Sequence, residues 1–204
     1  MLFADRGFFS DLPIITTERL MLRRMTLRDA QDVFDYSQDE EVARHVLWDA
    51  QRSISEARAY LRYMLRQYRR NQPASWGIIL KETGKLIGTI GFMSYNEDHN
   101  SAEIGYSLSR DHWNKGLMSE ALRACLEYAF DEMQLHRVEA QHELTNPASG
   151  RVMEKCGMQR EGILRGRLYN KGRYVDVCLY AILDEDWYRT HPKKDARHFL
   201  PFRP

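Results

Sequence analysis

The feature that most limits how this chain can fold lies mid-chain, where a strand pattern turns into a helix at a glycine. From Ser101 to Leu108, Ala102, Ile104 and Tyr106 alternate with Glu103, Gly105 and Ser107. A polar loop, Ser109 to Lys115, follows. From Gly116 to Met133 the spacing becomes helical, carried by Leu117, Ala121, Leu122, Cys125, Leu126, Ala129 and Phe130. A helix that starts this way presents unpaired N–H groups and the positive end of its dipole, a ready anion site. Gly116 lets the backbone approach a phosphate, Lys115 adds a positive charge, and Ser119 can donate from the first turn. Strand-glycine-helix junctions also serve tight packing, so these residues alone leave both readings open.

The flanking patterns fill out the domain. Arg19 to Met25 alternates as an opening strand, and Thr26-Leu27-Arg28-Asp29 caps a short helix through Tyr36. Ser53-Ile54-Ser55-Glu56 reads as a second capping box. The helix after it sets Ala57, Tyr60, Leu61, Met64, Leu65 and Tyr68 on one face before Pro73 stops it. Ser75 to Lys81 and Leu86 to Tyr95 make a hairpin through the Glu82 to Lys85 turn. Arg137 to His142 is a short strand and Asn146 to Lys155 a short helix ended by Gly157. Glu161 to Tyr169 and Tyr174 to Leu183 form a hairpin turning at Asn170-Lys171-Gly172. Together these describe an α/β (α+β) domain whose strands are mostly antiparallel.

Composition narrows the class. The 204 residues, 43% of them hydrophobic, fit one well-filled domain spanning residues 1–204. Thirty Lys+Arg against 29 Asp+Glu leave a formal net charge of +1, so no global electrostatic case exists for nucleic acid or an anionic membrane surface. Cys125, Cys156 and Cys178 show neither metal-ligand spacing nor a disulfide framework, and the histidines form no ligand cluster, so no metal is expected. The stretch from Met1 to Asp11 lacks a signal-peptide core, and no later apolar run reaches membrane length. A cytoplasmic protein with reduced thiols is expected.

Three features invite a wrong reading. Arg58, Arg62, Arg66 and Arg69 form a basic stripe that reads first as a solvated helix face and second as a steering surface toward ribosomal RNA or an acidic tail. Gly84, Gly88 and Gly91 fall in a hairpin, where bulges or close backbone approach explain them better than phosphate binding. The end of the chain, with Lys193-Lys194, Phe199 and Phe202 among Pro192, Pro201 and Pro204, reads as an irregular tail over 188–204.

The run Trp113-Asn114-Lys115-Gly116-Leu117-Met118-Ser119-Glu120-Ala121-Leu122, preceded by Ala102-Glu103-Ile104-Gly105-Tyr106, resembles the cofactor signature of the GNAT superfamily of N-acetyltransferases. Trp113 and Met118 depart from the Gln/Arg-x-x-Gly-x-Gly/Ala pattern in a way similar to the Rim-type alanine N-acetyltransferases of ribosomal proteins. Asn146-Pro147-Ala148-Ser149, Glu154-Lys155-Cys156-Gly157-Met158, Glu161-Gly162 and Asp176-Val177-Cys178-Leu179-Tyr180 resemble that branch in order and spacing, so the likeness runs from about Thr17 to Trp187.

The resemblance implies a splayed sheet of about six to seven strands flanked by helices, with acetyl-CoA as cosubstrate lying between the strand at 101–108 and the strand at 137–142. In that arrangement Tyr106, Ser107 and Leu108 offer backbone groups to the pantetheine. The loop from Trp113 through Asn114, Lys115, Gly116, Leu117, Met118 and Ser119 holds the pyrophosphate, with Asn146, Ser149 and Lys155 on the far side. Asn146 also suits a helix cap ahead of Pro147.

Acetyl transfer needs a neutral amine and a stabilised leaving thiolate. Glu103, facing away from Ile104, is the first candidate base, acting through water; an outward Glu on a half-solvated strand is otherwise simply solvated. The tyrosine that many superfamily members use on the thiolate is Met153 here, and a branch-specific glutamate falls at Leu168. Ser149 is then the candidate donor to the sulfur, or an ordinary polar residue in a first helical turn. His142 and Asp176 are reserve bases. The implied acceptor is a protein N-terminal amine, alanine on a ribosomal protein, with ribosome association. A small-molecule amine, or a noncatalytic acyl-CoA-binding module, are the alternatives, and the assembly is a monomer or a homodimer.

Overall fold

A computed structural model describes residues 7–192; the tail features at Lys193, Lys194, Phe199, Pro201, Phe202 and Pro204 lie outside the described residues. One eight-stranded sheet runs in the order β1 (Ile15–Thr16), β2 (Leu20–Arg23), β3 (Ser75–Leu80), β4 (Leu86–Asn96), β5 (Ser101–Leu108), β6 (Arg137–Glu143), β8 (Arg173–Leu183), β7 (Gln159–Asn170). Every neighbouring pair is antiparallel except β5 with β6, which is parallel. The eighth strand, beyond the six or seven expected, is the two-residue β1, too short to carry an alternation signal.

Among the described residues six helices flank the sheet: α1 (Ala30–Ser37), α2 (Glu40–Ala43), α3 (Ile54–Arg69), α4 (Leu117–Glu127), α5 (Pro147–Lys155) and α6 (Asp184–Thr190). All residues of β3, and those of β4 from Leu86 to Phe92, are buried. Successive strand residues point to opposite faces, so the sheet centre is covered on both sides. Both α1 and α4 contact β4. Gly91 belongs to this crowding, because a Cβ there would stand 2.3 Å from Ser75 Cα. Tyr68, on the apolar face of α3, reaches through the core with its hydroxyl donating to the Ser75 carbonyl while it accepts from the Met25 N–H at 3.2 Å.

Local chemistry explains the entries to the helices. Thr26 and Asp29 form the reciprocal capping box read from the sequence, and Asp29 is also gripped by Arg23 through two hydrogen bonds of 2.6 and 3.0 Å. At α3 the expected box is not made: Ser53 makes no side-chain cap, and Glu56 accepts instead from the Arg52 N–H at 2.9 Å. Two short helices were hidden from periodicity. α2 has four residues and so no full repeat, and α6 lies partly within the stretch read as irregular tail. The long helix from Gly116 holds α geometry to Glu127 and then widens into a π turn at Tyr128–Glu132. No helix among the described residues is long and apolar enough to cross a membrane.

Candidate active site in the splayed sheet

The site begins where the one parallel pair comes apart. β5 and β6 are in register only at Ser101–Arg137, Ala102–Val138 and Glu103–Glu139. Beyond Glu103 the β6-facing edge of β5 has no strand partner among the described residues, so its backbone groups are available to a ligand. Parallel strands end on the same side, which puts this opening at their carboxyl ends. α5 packs beside it against β6 and α4, and the Tyr106 hydroxyl donates across the gap to the Ser149 carbonyl at 3.0 Å. Burial pushes the Tyr106 phenol well above its ordinary range, so it stays a neutral strut.

A cavity of about 430 Å³ occupies this opening. From the expected set, Tyr106, Ser107, Leu108, Trp113, Asn114, Gly116, Leu117, Met118, Ser119, Asn146, Ser149 and Lys155 all line it. Lys115 does not; its carbonyl accepts from Arg19 at 2.9 Å, and Arg19 is no part of the cavity wall. The loop is shaped by two left-handed residues, Asn114 at φ +58° and Gly116 at φ +76°. Trp113 closes it, its indole N–H donating to the Leu108 carbonyl at 2.8 Å. With Gly116 at the N-cap and no capping side chain, the first N–H groups of α4 are left for whatever enters the cavity.

A clamp holds that helix start in place. Glu120, in the first turn of α4, accepts from the Thr17 hydroxyl at 2.6 Å, the Arg19 N–H at 2.8 Å and the Arg19 guanidinium at 2.8 Å. Burial pushes Glu120 upward, but these hydrogen bonds outweigh it and hold the carboxyl below its ordinary value. The β1–β2 turn is thereby tied to the loop, a long-range role that the sequence pattern around Thr17 did not reveal.

On the far wall, Asn146 occupies the N-cap position of α5 without making a capping bond. Its side-chain amide donates to Ser149 Oγ at 3.0 Å. That bond fills an acceptor position on the hydroxyl and leaves its proton to be given elsewhere, and both residues line the cavity. Met153 is only 1% exposed, a core residue with no part in the site.

The candidate bases are scattered. Glu103 faces away from the buried Ile104, as its alternation implied, but it is not part of the cavity wall and accepts from Gln141 at 2.7 Å. His142 turns its Nδ1 to the Glu143 carbonyl at 2.7 Å and packs its ring against Gly150 and Tyr180. Asp176 is exposed and accepts from the Gly166 N–H at 2.7 Å, and Leu168 pairs with Val175 on the β7–β8 ribbon. The Glu161-Gly162 motif also has a structural use: Glu161 takes a bidentate grip from Arg137, at 2.8 Å through one nitrogen, and so ties β7 to β6.

Two residues that sequence reasoning passed over, His45 and Glu143, meet beside the cavity. His45, after α2, lines it, and Glu143, the last residue of β6, stands behind His45 with its side chain 4% exposed. A buried carboxylate at a strand end carries no periodic signature, and 98 residues separate the pair. Among the described residues no group of three or more His, Cys, Asp or Glu side chains is placed to hold a metal ion.

Known proteins with the same arrangement are numerous. Residues 19–159 match the model of the acetyltransferase (GNAT) domain. The chain is 36% identical over 171 residues to the uncharacterized N-acetyltransferase p20 of Bacillus licheniformis, covering 84% of this chain and 96% of that one. It is 28% identical over 191 residues to the ribosomal protein uS5-alanine N-acetyltransferase of Escherichia coli, covering 89% and 97% of the two chains. The crystal structure of a GNAT-family acetyltransferase from Bacillus anthracis superposes with a TM-score of 0.76 at 33% identity, over 84% of this chain and 99% of that one. The split between β5 and β6, the glycine-opened α4 and the extent of these matches agree: the chain belongs to the GNAT family and is an acetyltransferase.

Proposed function

We propose that this acetyltransferase moves an acetyl group from acetyl-CoA to the N-terminal α-amine of a protein, alanine being the favoured first residue. The observation that carries the cofactor assignment is the cavity itself, which joins the unpaired edge of β5 to the open N-terminus of α4. The diphosphate sits on the N–H groups following Gly116, where the helix dipole and the unsatisfied donors favour an anion. The pantetheine runs along Tyr106, Ser107 and Leu108, offering its amides to the backbone that β6 leaves unpaired. Asn146 and Lys155 border it from α5, and Ser149 gives its free proton to the departing sulfur. A carboxylate or thiolate is stabilised by such a donor far more in a cavity than in water.

The acceptor assignment draws on the likeness to the Escherichia coli uS5-alanine enzyme across nearly the whole of both chains. The acceptor amine enters beside Glu41, Val42, His45 and Val46, which line the cavity from α2 and the loop after it. Thiol release from acetyl-CoA, measured with Ala- and Ser-starting peptides alongside amino acids and polyamines, tests the reading. Turnover of the peptides with no turnover of the free amines is expected. Turnover confined to small amines overturns the acceptor, and acetyl-CoA binding without turnover of any amine overturns the transfer.

A further inference from the structure

We propose that His45 is the base that takes the acceptor's proton and that Glu143 is the residue that positions it. The inference rests on the acetyl-transfer reading of the cavity, because it assigns the proton chemistry within that same space.

Glu143 ends β6, in register with Val177 of β8, and its carboxylate is enclosed by protein. Each oxygen is committed. Oε1 accepts from the Asn170 side-chain amide; Oε2 faces His45 Nδ1 at 3.3 Å and accepts from the Thr145 hydroxyl at 3.3 Å. Burial pushes this carboxyl up, yet the hydrogen bonds from Asn170, His45 and Thr145 and the attraction of His45 hold it below its ordinary value. A charged carboxylate kept out of water is costly unless its partners gain from it. Holding a loop would need only an amide at this position, whereas a carboxylate additionally fixes Nδ1 as the protonated nitrogen of the ring.

With Nδ1 so engaged, the lone pair of neutral His45 is on Nε2. The ring is 21% exposed and forms part of the wall that also contains Ser149 and Tyr106. Its loop is held from the β7–β8 turn, where Lys171 donates to the Trp48 carbonyl at 3.0 Å and pairs with Asp49 at 3.1 Å. Imidazole is the side chain best suited to accepting a proton near neutral pH. Glu103, by contrast, lies outside this wall and is occupied by Gln141.

The charged groups around the pair come from every side. Arg173 of β8 stands 4.0 Å from Glu143 Oε2. Glu41 of α2 lines the same cavity but is engaged by Arg44 at 3.4 Å, and His112, Arg151 and Lys155 line it from the loop and α5. Within this setting Nε2 of His45 takes one proton from the acceptor ammonium. The freed amine nitrogen bonds the acetyl carbon as the carbon–sulfur bond breaks. Its second departing proton passes to the thiolate sulfur through the Ser149 hydroxyl, giving the thiol, and the imidazolium returns its proton to water.

The test compares His45→Asn, Glu143→Gln and Glu103→Gln with the wild type, using an Ala-starting peptide and acetyl-CoA from pH 5.5 to 9.5. His45→Asn is expected to lower kcat/KM at pH 7 by about a hundredfold, to lose the acid limb of the profile, and to bind acetyl-CoA with unchanged affinity by calorimetry. Glu143→Gln is expected to lower kcat by about tenfold with the KM for the peptide little changed. Independently of turnover, the ring nitrogen NMR shifts of neutral His45 should show the proton on Nδ1 in the wild type and a mixture of tautomers in Glu143→Gln. An acid limb retained in His45→Asn, or abolished by Glu103→Gln instead, overturns the base assignment. A His45 tautomer unchanged in a folded Glu143→Gln overturns the pairing, and if that variant does not fold, His45→Asn alone decides. Failure of acetyl-CoA to bind the wild type would instead sink the reading of the cavity, an outcome the ring spectrum does not depend on.

Discussion

Replacing Gly116 by alanine separates two roles that coincide at one residue. Gly116 sits at φ +76°, and the nearest atom to a Cβ built there is Arg19 Nη2 at 3.6 Å. That is ordinary contact, so the stability loss comes from the left-handed backbone alone, about 1–2 kcal/mol. For a domain of this size the melting temperature should fall by roughly 2–8 °C. Gly116 also lines the cavity where the diphosphate is proposed to meet the N–H groups of α4, so backbone that relaxes out of the left-handed region turns one of those N–H groups away. Displacing one hydrogen bond to a charged group costs about 1.5–3 kcal/mol, which is about ten- to a hundredfold in affinity.

Gly84 is the control, with φ +70°, nothing within 4 Å of a built Cβ, and no place in the cavity. Gly84→Ala should therefore match the stability loss of Gly116→Ala while leaving acetyl-CoA affinity at the wild-type value. Urea unfolding gives the first quantity and calorimetric titration the second. Equal affinity in all three proteins would refute the diphosphate assignment, and a fall in both variants alike would show that strain, rather than contact, is being measured.

Other consequences follow from particular contacts. Ser149→Ala removes the free hydroxyl proton and should lower kcat by about a hundredfold with little change in acetyl-CoA affinity; an unchanged kcat across the pH range removes Ser149 from the chemistry. Asp29 is lowered in pKa because its bonds to Arg23 and Thr26 outweigh the upward push of burial. Its contribution is therefore complete above the unfolded carboxylate value and is lost as pH falls through the folded one, so Asp29→Asn should cost roughly 3 kcal/mol at pH 7 and progressively less in acid, measured by denaturant melts at pH 7 and pH 3. All three cysteines are buried, and burial pushes the Cys156 thiol up to about 11, so a thiol-specific chromogenic reagent at pH 7.5 should react on the timescale of unfolding, not of mixing.

The strand-glycine-helix unit was legible because its signals are local. Alternation over 101–108, the shift of period after Gly116 and the Asn146-Pro147 helix start each sit in one short window, and the structure builds all three. The parallel pairing of β5 with β6 gave no such signal, and the family likeness implied only a splay between these two strands, since register between strands 36 residues apart is decided by what packs around them. Side-chain partnership was less legible still. Ser53 and Glu56 have the spacing of a capping box, yet Glu56 prefers the Arg52 N–H, whereas the identical logic at Thr26 and Asp29 holds because Arg23 steadies the acid.

Glu103 shows how little alternation alone says about a candidate base. Its alternation correctly sets it opposite Ile104, but alternation distinguishes only two sides of a sheet, and the cavity occupies part of one opening beyond the paired segment. Which side chains border a cavity depends on what other segments bring to it. The loop after α2 brings His45 there, the end of β6 brings Glu143 behind it, and Asn170 and Lys171 at the β7–β8 turn fasten the carboxylate and the loop respectively. Three segments thus converge on one imidazole. A site made in this way has its chemistry in tertiary contacts, so a substitution at Asn170, far along the chain from His45, should register in the pH dependence of the reaction before it registers in the affinity for acetyl-CoA.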